Sequence, residues 1–399
     1  MSANRIGCGL GLIALAVGVP LIAGPVKDPP AHLDAERTKA VMRIPEGDFR
    51  PRKKVFAAAV PEERLGWGLG ENGVRAEAAW AVTKGKGVRV AILDTGIDAD
   101  HPELKGQILA SKDFTGSRFG AKDAVGHGTH CAGIVAMKQD GKGYVGVAPG
   151  CGILNGKVLA DDGTGDFNWL AAGIDWAVEQ KADVISMSLG GGPDGTPPER
   201  FMPNLRAAIR RATDAGVIVL AAAGNDGPGA NTVGYPGRYP EVVAVAASDV
   251  SRHITNFSSR GSEVDVAAPG DNVVSSIPNG QFAEWDGTSM ATPMAAGVAA
   301  LYVADCRANG RTPTPADFRK RIETTSSTRA KVPNPNSGWG LIQAPGFVSA
   351  TPTESKTLEF GRADFTADAW GRLLHQAPGT AGLTLEFRGE TLLKAGLTK

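Results

Sequence analysis

The chain has 399 residues, and its 42 basic and 42 acidic side chains give a formal net charge of zero. That balance supplies no bulk field for nucleic acid or an anionic membrane surface, so neither is an expected partner. Hydrophobic residues make up 42% and there are 4 cysteines, which indicates a globular protein with its own core and excludes a disulfide scaffold.

Arg5 precedes an apolar stretch, Leu10 to Ala23, that ends at Gly24-Pro25. This reads as a targeting segment, shorter than the roughly 20 residues of a spanning helix. Residues 1–24 are therefore expected to be a secretory signal peptide, and the protein to be secreted or held in the cell envelope. An uncleaved N-terminal membrane anchor is the alternative, because Ile22-Ala23-Gly24 is a poor small-x-small cleavage site. Only that segment would contact a membrane. Cys8 lies before the apolar core, badly placed for a lipid anchor. Residues 25–63 are rich in Pro, Ala and charge, including Arg50-Pro51-Arg52-Lys53-Lys54, and read as a solvated linker.

From Gly87 short apolar, β-branched runs alternate with helical patterns. The strand candidates are Val88–Leu93, Ile153–Leu159, Asp183–Met187, Val217–Ala222, Val242–Ala246 and Val264–Ala267; helical patterns include Asn168–Gln180 and Asn204–Ala215. Continuous apolar strands between helices predict an α/β fold: a three-layer, doubly wound sandwich with a mostly parallel central sheet, spanning residues 64–349. Ligands of such sheets bind beyond the carboxyl ends of the strands, where Asp94 and Asn225 fall. In the tail, residues 350–399, Thr357–Phe360 and Leu383–Phe387 read as strands around a turn at Arg388-Gly389-Glu390; this small extension carries no chemistry.

Three segments carry chemistry. Val88–Asp94 is a strand ending on a carboxylate, Gly126-His127-Gly128-Thr129-His130-Cys131-Ala132-Gly133 opens a small-residue helix, and Gly287-Thr288-Ser289-Met290-Ala291-Thr292-Pro293 opens another running to about Leu301. A serine at a helix start is commonly a cap, yet the same free N–H groups and dipole favour the negative charge that acyl transfer develops. Aspartate, histidine and serine in that order form one known arrangement of a catalytic triad. Competing motifs fit worse. Asp94-Thr95-Gly96 has no second Asp-Thr-Gly or Asp-Ser-Gly to face it, as an aspartic protease requires. His127 and His130 are three apart, without the i,i+4 spacing and glutamate of a zinc site. The sequence around Ser289 lacks the second glycine of a hydrolase elbow.

The three segments resemble the aspartate, histidine and serine motifs of the subtilisin family of serine endopeptidases. Ala221-Ala222-Ala223-Gly224-Asn225 is similar to the family's oxyanion segment. The likeness includes Val147-Ala148-Pro149, Ser186–Gly191 and Thr232–Gly237, and runs from about Trp67 to about Phe347. It implies a serine endopeptidase in which Ser289 is the nucleophile, His127 the base, Asp94 its orienting partner and Asn225 an oxyanion donor. No cofactor is required for that chemistry. Protein or peptide substrates are implied, acting on a monomeric enzyme. An extended substrate would run between Ser188-Leu189-Gly190 and Gly165–Leu170. Ala222, Gly224 and Gly234 would line an uncharged pocket for large apolar residues before the cut, with Asp226 at its rim. Phe167 and Leu170 resemble the wall of the pocket four residues before the cut, although both also fit a helix core.

Further implications are weaker in their residues. Family members carry an inhibitory propeptide in the region of residues 25–63, where this segment is short. Glu103, Asp140 and the loop Lys138–Tyr144 align with a structural calcium site of oxygen ligands. Cys131, one helical turn after His127, resembles the free cysteine of the proteinase K-like and thermitase-like branches. Cys151 and Cys306 are a candidate disulfide pair in an oxidising compartment. The family's histidine after Pro293 is replaced by Met294. Two other readings stay open: a non-catalytic binding protein that keeps this fold, and a narrow, membrane-tethered processing protease with access restricted by Gly195–Pro203.

Overall fold

The structure, a computed structural model, describes residues 41–43, 55–56, 64–191, 203–326 and 332–349, and three strands within 353–398. The signal segment 1–24, most of 25–63, and residues 192–202, which include all of the predicted insert Gly195–Pro203 but its last residue, lie outside the described residues.

A seven-stranded sheet forms the centre. Its strands are β3 (Arg89–Asp94), β4 (Ile108–Asp113), β5 (Gly152–Lys157), β7 (Val184–Met187), β8 (Ile218–Ala222), β9 (Val243–Ser248) and β10 (Val264–Pro269). The order is β10-β9-β8-β7-β3-β5-β4, and every pairing is parallel. Six of these strands match the predicted runs to within two residues at each end. β4 lacks the continuous apolar run of the other strands, because Ile108–Asp113 holds only half-buried and exposed positions at the sheet edge.

The two faces are sorted by the period-2 alternation of strand side chains. Val90 and Ile92 enter one core with α2 (His127–Ala136) and α5 (Thr288–Ala308). Ala91 and Leu93 enter the other with α3 (Phe167–Glu179) and α4 (Pro203–Asp214). The result is the predicted three-layer α/β sandwich. The helix after Ser289 extends past Leu301 to Ala308, and α6 (Pro315–Thr325) closes that face after a Thr314 cap on Asp317 N. α1 (Ala76–Trp80) is a short helix of the N-terminal part.

Smaller sheets flank this frame. β11 (Val273–Ile277) and β12 (Gln281–Trp285) form a hairpin, and β2 (Val55–Phe56) adds to it through Phe282–Phe56 and Ala283–Val55 pairs. β1 (Val41–Arg43) pairs antiparallel with β6 (Thr164–Asp166). In the tail, β13 (Thr353–Phe360), β14 (Ala381–Arg388) and β15 (Thr391–Thr398) make an antiparallel sheet.

Candidate active site

Asp94 is the last residue of β3, where the sheet releases the chain into a turn. Its main-chain oxygen accepts from Val158 and Leu159 N–H at 2.9 and 3.1 Å, which anchors the strand end to the neighbouring β5 side. Its carboxylate is buried and accepts from His127 Nδ1 at 2.8 Å and from Thr95 N–H at 2.7 Å, both at Oδ1. His127 is the first residue of α2 and is also fully buried. A carboxylate can only accept here, so Nδ1 carries the proton and Nε2 is the nitrogen that can take one. Glycine is needed at 128: a Cβ there would fall 2.1 Å from Gly96 O, so the helix start packs directly on the turn after Asp94.

Ser289 is the second residue of α5, and a proline placed inside this helix explains how it is tethered. Pro293 has no N–H to give the carbonyl four residues earlier, which is Ser289 O. That carbonyl accepts instead from Ser188 Oγ at 2.8 Å and from Cys131 Sγ at 3.5 Å. Ser289 Oγ donates to Ser188 O at 3.3 Å. Cys131 Sγ also lies 3.9 Å from His127 Nδ1, so one side chain touches both the histidine and the serine segments. The four residues Asp94, His127, Cys131 and Ser289 thus gather where β3, β7, α2 and α5 converge.

Asn225 follows β8. Its Oδ1 accepts from Thr288 N–H at 3.0 Å and from Thr288 Oγ1 at 2.9 Å, while Thr288 Oγ1 accepts from Gly224 N–H at 3.2 Å. An amide held this way donates through Nδ2. Thr288 is the orienting neighbour, and it carries no sequence signal, since an adjacent hydroxyl leaves no spacing signature. Gly224 has φ +112°, and a Cβ there would stand 2.9 Å from Ser259 Oγ. At Gly234 the nearest atom to an added Cβ is 3.5 Å away.

The cleft expected to receive a substrate holds the chain's own β1. Val41, Met42 and Arg43 pair with Asp166, Gly165 and Thr164, and on the other side Arg43 N–H donates to Gly190 O at 3.1 Å while Gly190 N–H donates to Arg43 O at 3.2 Å. Met42 is fully buried in the cluster that contains Leu159, Phe167, Leu170 and Leu189. Pairing with Gly190 is antiparallel, so the carboxyl end of β1 is directed toward Ser188.

His130 is structural: Nε2 donates to Ala283 O at 3.0 Å and the ring stacks on Trp285 with centroids 4.5 Å apart. Met294 is buried and packs on Gly68, beside a cavity of about 30 Å³ also lined by Trp67 and Tyr144. The carboxylate of Glu103 is buried against Gly143, where an added Cβ would meet Oε1 at 2.6 Å, whereas Asp140 is exposed. Asp94, His127 and Cys131 are the one group of three potential metal-ligating side chains among the described residues. Burial pushes the Cys131 thiol up to about 11, so it keeps its proton, and His127 Nδ1 is already bonded to Asp94; the group is a hydrogen-bonded cluster.

The candidate pair Cys151 and Cys306, left open by the sequence, forms no disulfide. Cys151 and Cys306 are buried free thiols, Cys151 beside Gly85 and Ala148 and Cys306 in the last turn of α5. Burial raises Cys151 to about 12. Because a raised pKa leaves a thiol neutral below that value, alkylation of the native protein at pH 8 should spare Cys131 and Cys151, and denaturant should expose both. Peptide mapping after each treatment checks this.

A sequence profile of the subtilase family matches residues 85–340. The chain is 46% identical over 235 residues to an intracellular serine protease of Paenibacillus polymyxa, covering 57% of this chain and 70% of that protein. It is 38% identical over 283 residues to thermitase of Thermoactinomyces vulgaris, covering 70% and 93%. With subtilisin E of Bacillus subtilis (strain 168) it shares 41% over 246 residues, 61% of each chain. The profile match contains the strand end, both helix starts and the asparagine described above. The chain belongs to the subtilase family and is a serine-type endopeptidase.

Proposed function

We propose that the endopeptidase acts through Asp94, His127 and Ser289, with Asn225 and the Ser289 N–H receiving the oxyanion. The buried Asp94–His127 hydrogen bond carries this reading, with Ser289 tied to the same cluster through Cys131. His127 Nε2 takes the Ser289 Oγ proton as Oγ attacks the substrate carbonyl. The tetrahedral oxygen forms at the start of α5, where backbone N–H groups and the Asn225 amide stabilise its charge. His127 then gives that proton to the departing amine, leaving an acyl-enzyme. Water, deprotonated by the same ring, hydrolyses the acyl group and restores Ser289.

Substrate binding follows from the cleft. Protein or peptide chains would add as a strand between Gly165 and Ser188-Leu189-Gly190, through backbone bonds indifferent to sequence. The room beside Gly234 supports a preference for large apolar residues before the cut, between Ala222 and Gly224, with Asp226 at the rim. Phe167 and Leu170 would receive the side chain three residues further upstream, where Met42 now lies. A fluorophosphonate probe should label wild-type protein and not Ser289→Ala. Absence of labelling on folded, processed wild type would leave a non-catalytic binding protein as the reading. A peptide-library digest should show many cleavage sites after large apolar residues; a single preferred sequence would instead favour a narrow processing protease.

The segment carrying β1 is a short propeptide in this reading. β1 fills the cleft as a substrate would, so the full chain should be latent, with export through Leu10–Ala23 and removal of residues up to about 63 preceding full activity. Met42→Asp puts a charge in an apolar pocket and should raise the basal rate of the uncut chain several-fold on a small anilide. N-terminal sequencing and cell fractionation of probe-labelled wild type would locate the cut and the compartment. An unchanged rate in Met42→Asp would sink the latency idea.

Calcium is proposed at Glu103 and the Lys138–Tyr144 loop. The observations fit a hard cation: Glu103 supplies a buried carboxylate facing Gly143, and the loop supplies backbone carbonyls near the exposed Asp140. A bound ion would cross-link that loop to the chain after β3 and take no part in bond cleavage. Chelation should lower the melting temperature of Ser289→Ala protein by several degrees, and Glu103→Gln should do the same and abolish the response to chelator.

A further inference from the structure

The buried polar residues beneath Asp94 have no place in the proton transfers, yet they converge on one side chain. We infer that Thr95 is the positioning residue that sets the Asp94–His127 geometry, gripped by Asp123 at its hydroxyl and by Lys157 at its carbonyl; this rests on the catalytic reading given above.

Thr95 touches both halves of the pair. Its N–H donates to Asp94 Oδ1, the oxygen that also accepts from His127. Its hydroxyl accepts from Gly128 N–H, the residue after His127, at 2.9 Å. A rotation of Thr95 therefore moves the carboxylate and the start of the histidine helix against each other.

Two groups prevent that rotation. The Thr95 hydroxyl donates to Asp123 Oδ1 at 2.9 Å. Asp123 is itself immobilised: Oδ1 accepts from Val125 N–H at 2.9 Å and Gly126 N–H at 2.7 Å, and Oδ2 from Thr129 N–H at 2.9 Å and Thr129 Oγ1 at 2.6 Å. These donors bracket His127 on both sides in sequence. From below, Lys157 Nζ donates to Thr95 O at 2.6 Å and pairs with Asp161 at 3.0 Å. Lys157 is fully buried, as are Thr95 and Asp123 to within 3%. Taking a lysine and an aspartate out of water is costly, and each is retained with directed bonds, two to Lys157 and five to Asp123. A core built for stability alone would fill the site with apolar side chains at less cost.

Preorganisation predicts a particular kinetic signature. Thr95 contacts no substrate position, so its loss should disturb reaction and not binding. Thr95→Val keeps the shape and the N–H but removes the hydroxyl, leaving Gly128 N–H without its partner. In the processed protein, normalised to the probe-reactive fraction, kcat should fall by about 10- to 100-fold, the scale of a sub-ångström to 1 Å misplacement. KM should stay within about twofold, and the rate of fluorophosphonate acylation should fall with kcat. Thr95→Ser restores the hydroxyl and should restore kcat to within about threefold. Lys157→Met should also lower kcat without raising KM, and serves as the test if Thr95→Val does not fold. The inference fails if folded Thr95→Val keeps kcat within twofold, if the loss lies in KM, or if Thr95→Ser is as impaired as Thr95→Val. Wild-type protein that is not labelled at all would instead count against the catalytic reading itself.

Discussion

A carboxylate at the end of a strand, removed from water, needs hydrogen-bond donors to offset the cost of its burial. Asp94 receives the Thr95 N–H and the His127 ring at one oxygen, Oδ1, and much of the surrounding architecture serves to bring those donors into place. A parallel sheet buried on both faces fixes where the strand ends. Gly128, by having no side chain, lets the histidine helix pack onto the turn that follows. The arrangement holds the imidazole in one tautomer before any substrate arrives, which is the condition for rapid proton transfer.

The serine side is organised by a missing hydrogen bond. Pro293 interrupts the ladder of α5, and Ser289 O turns to Ser188 and Cys131. An interior proline costs a helix about 3 kcal/mol in isolation. Here the freed acceptor links the helix start to the end of β7 and to α2, so the local loss is converted into a tertiary constraint. Thr288 does the same for Asn225, using one hydroxyl to orient the amide and to bind Gly224. The cleft beside them is a pair of open strand edges. Such edges bind any extended chain, and the protein's own β1 is the segment that covers them.

Much of the frame was legible along the chain, for an identifiable reason. Val88–Leu93, Asp183–Met187 and Val217–Ala222 are apolar throughout because both faces of a parallel strand are buried, and they fall within a residue or two of β3, β7 and β8. Edge and peripheral elements obey no such rule. Ile108–Asp113 carries Ser111, Lys112 and Asp113 on a solvent-facing edge, and β11 includes Ser275 and Ser276, whose hydroxyls donate to His130 O and Thr129 O. Their polarity conceals them as strands until the partner is known. The cysteine pairing stayed open in the sequence for a related reason: two thiols in one chain specify nothing about separation, and both are free and buried in the fold.

The sequence by itself determined the layered α/β frame, the family, and the residue types available for acyl transfer, because hydrophobic period and motif order are local properties of a chain. It could not determine that Asp123 and Lys157 grip Thr95, that Thr288 orients Asn225, or that Val41–Arg43 lies in the cleft. Each depends on side chains or strands far apart in sequence meeting at one point, with partners set by directed hydrogen bonds and burial. Distance and direction between remote residues exist only after the sheet, the two helix starts and the N-terminal strand have been packed together.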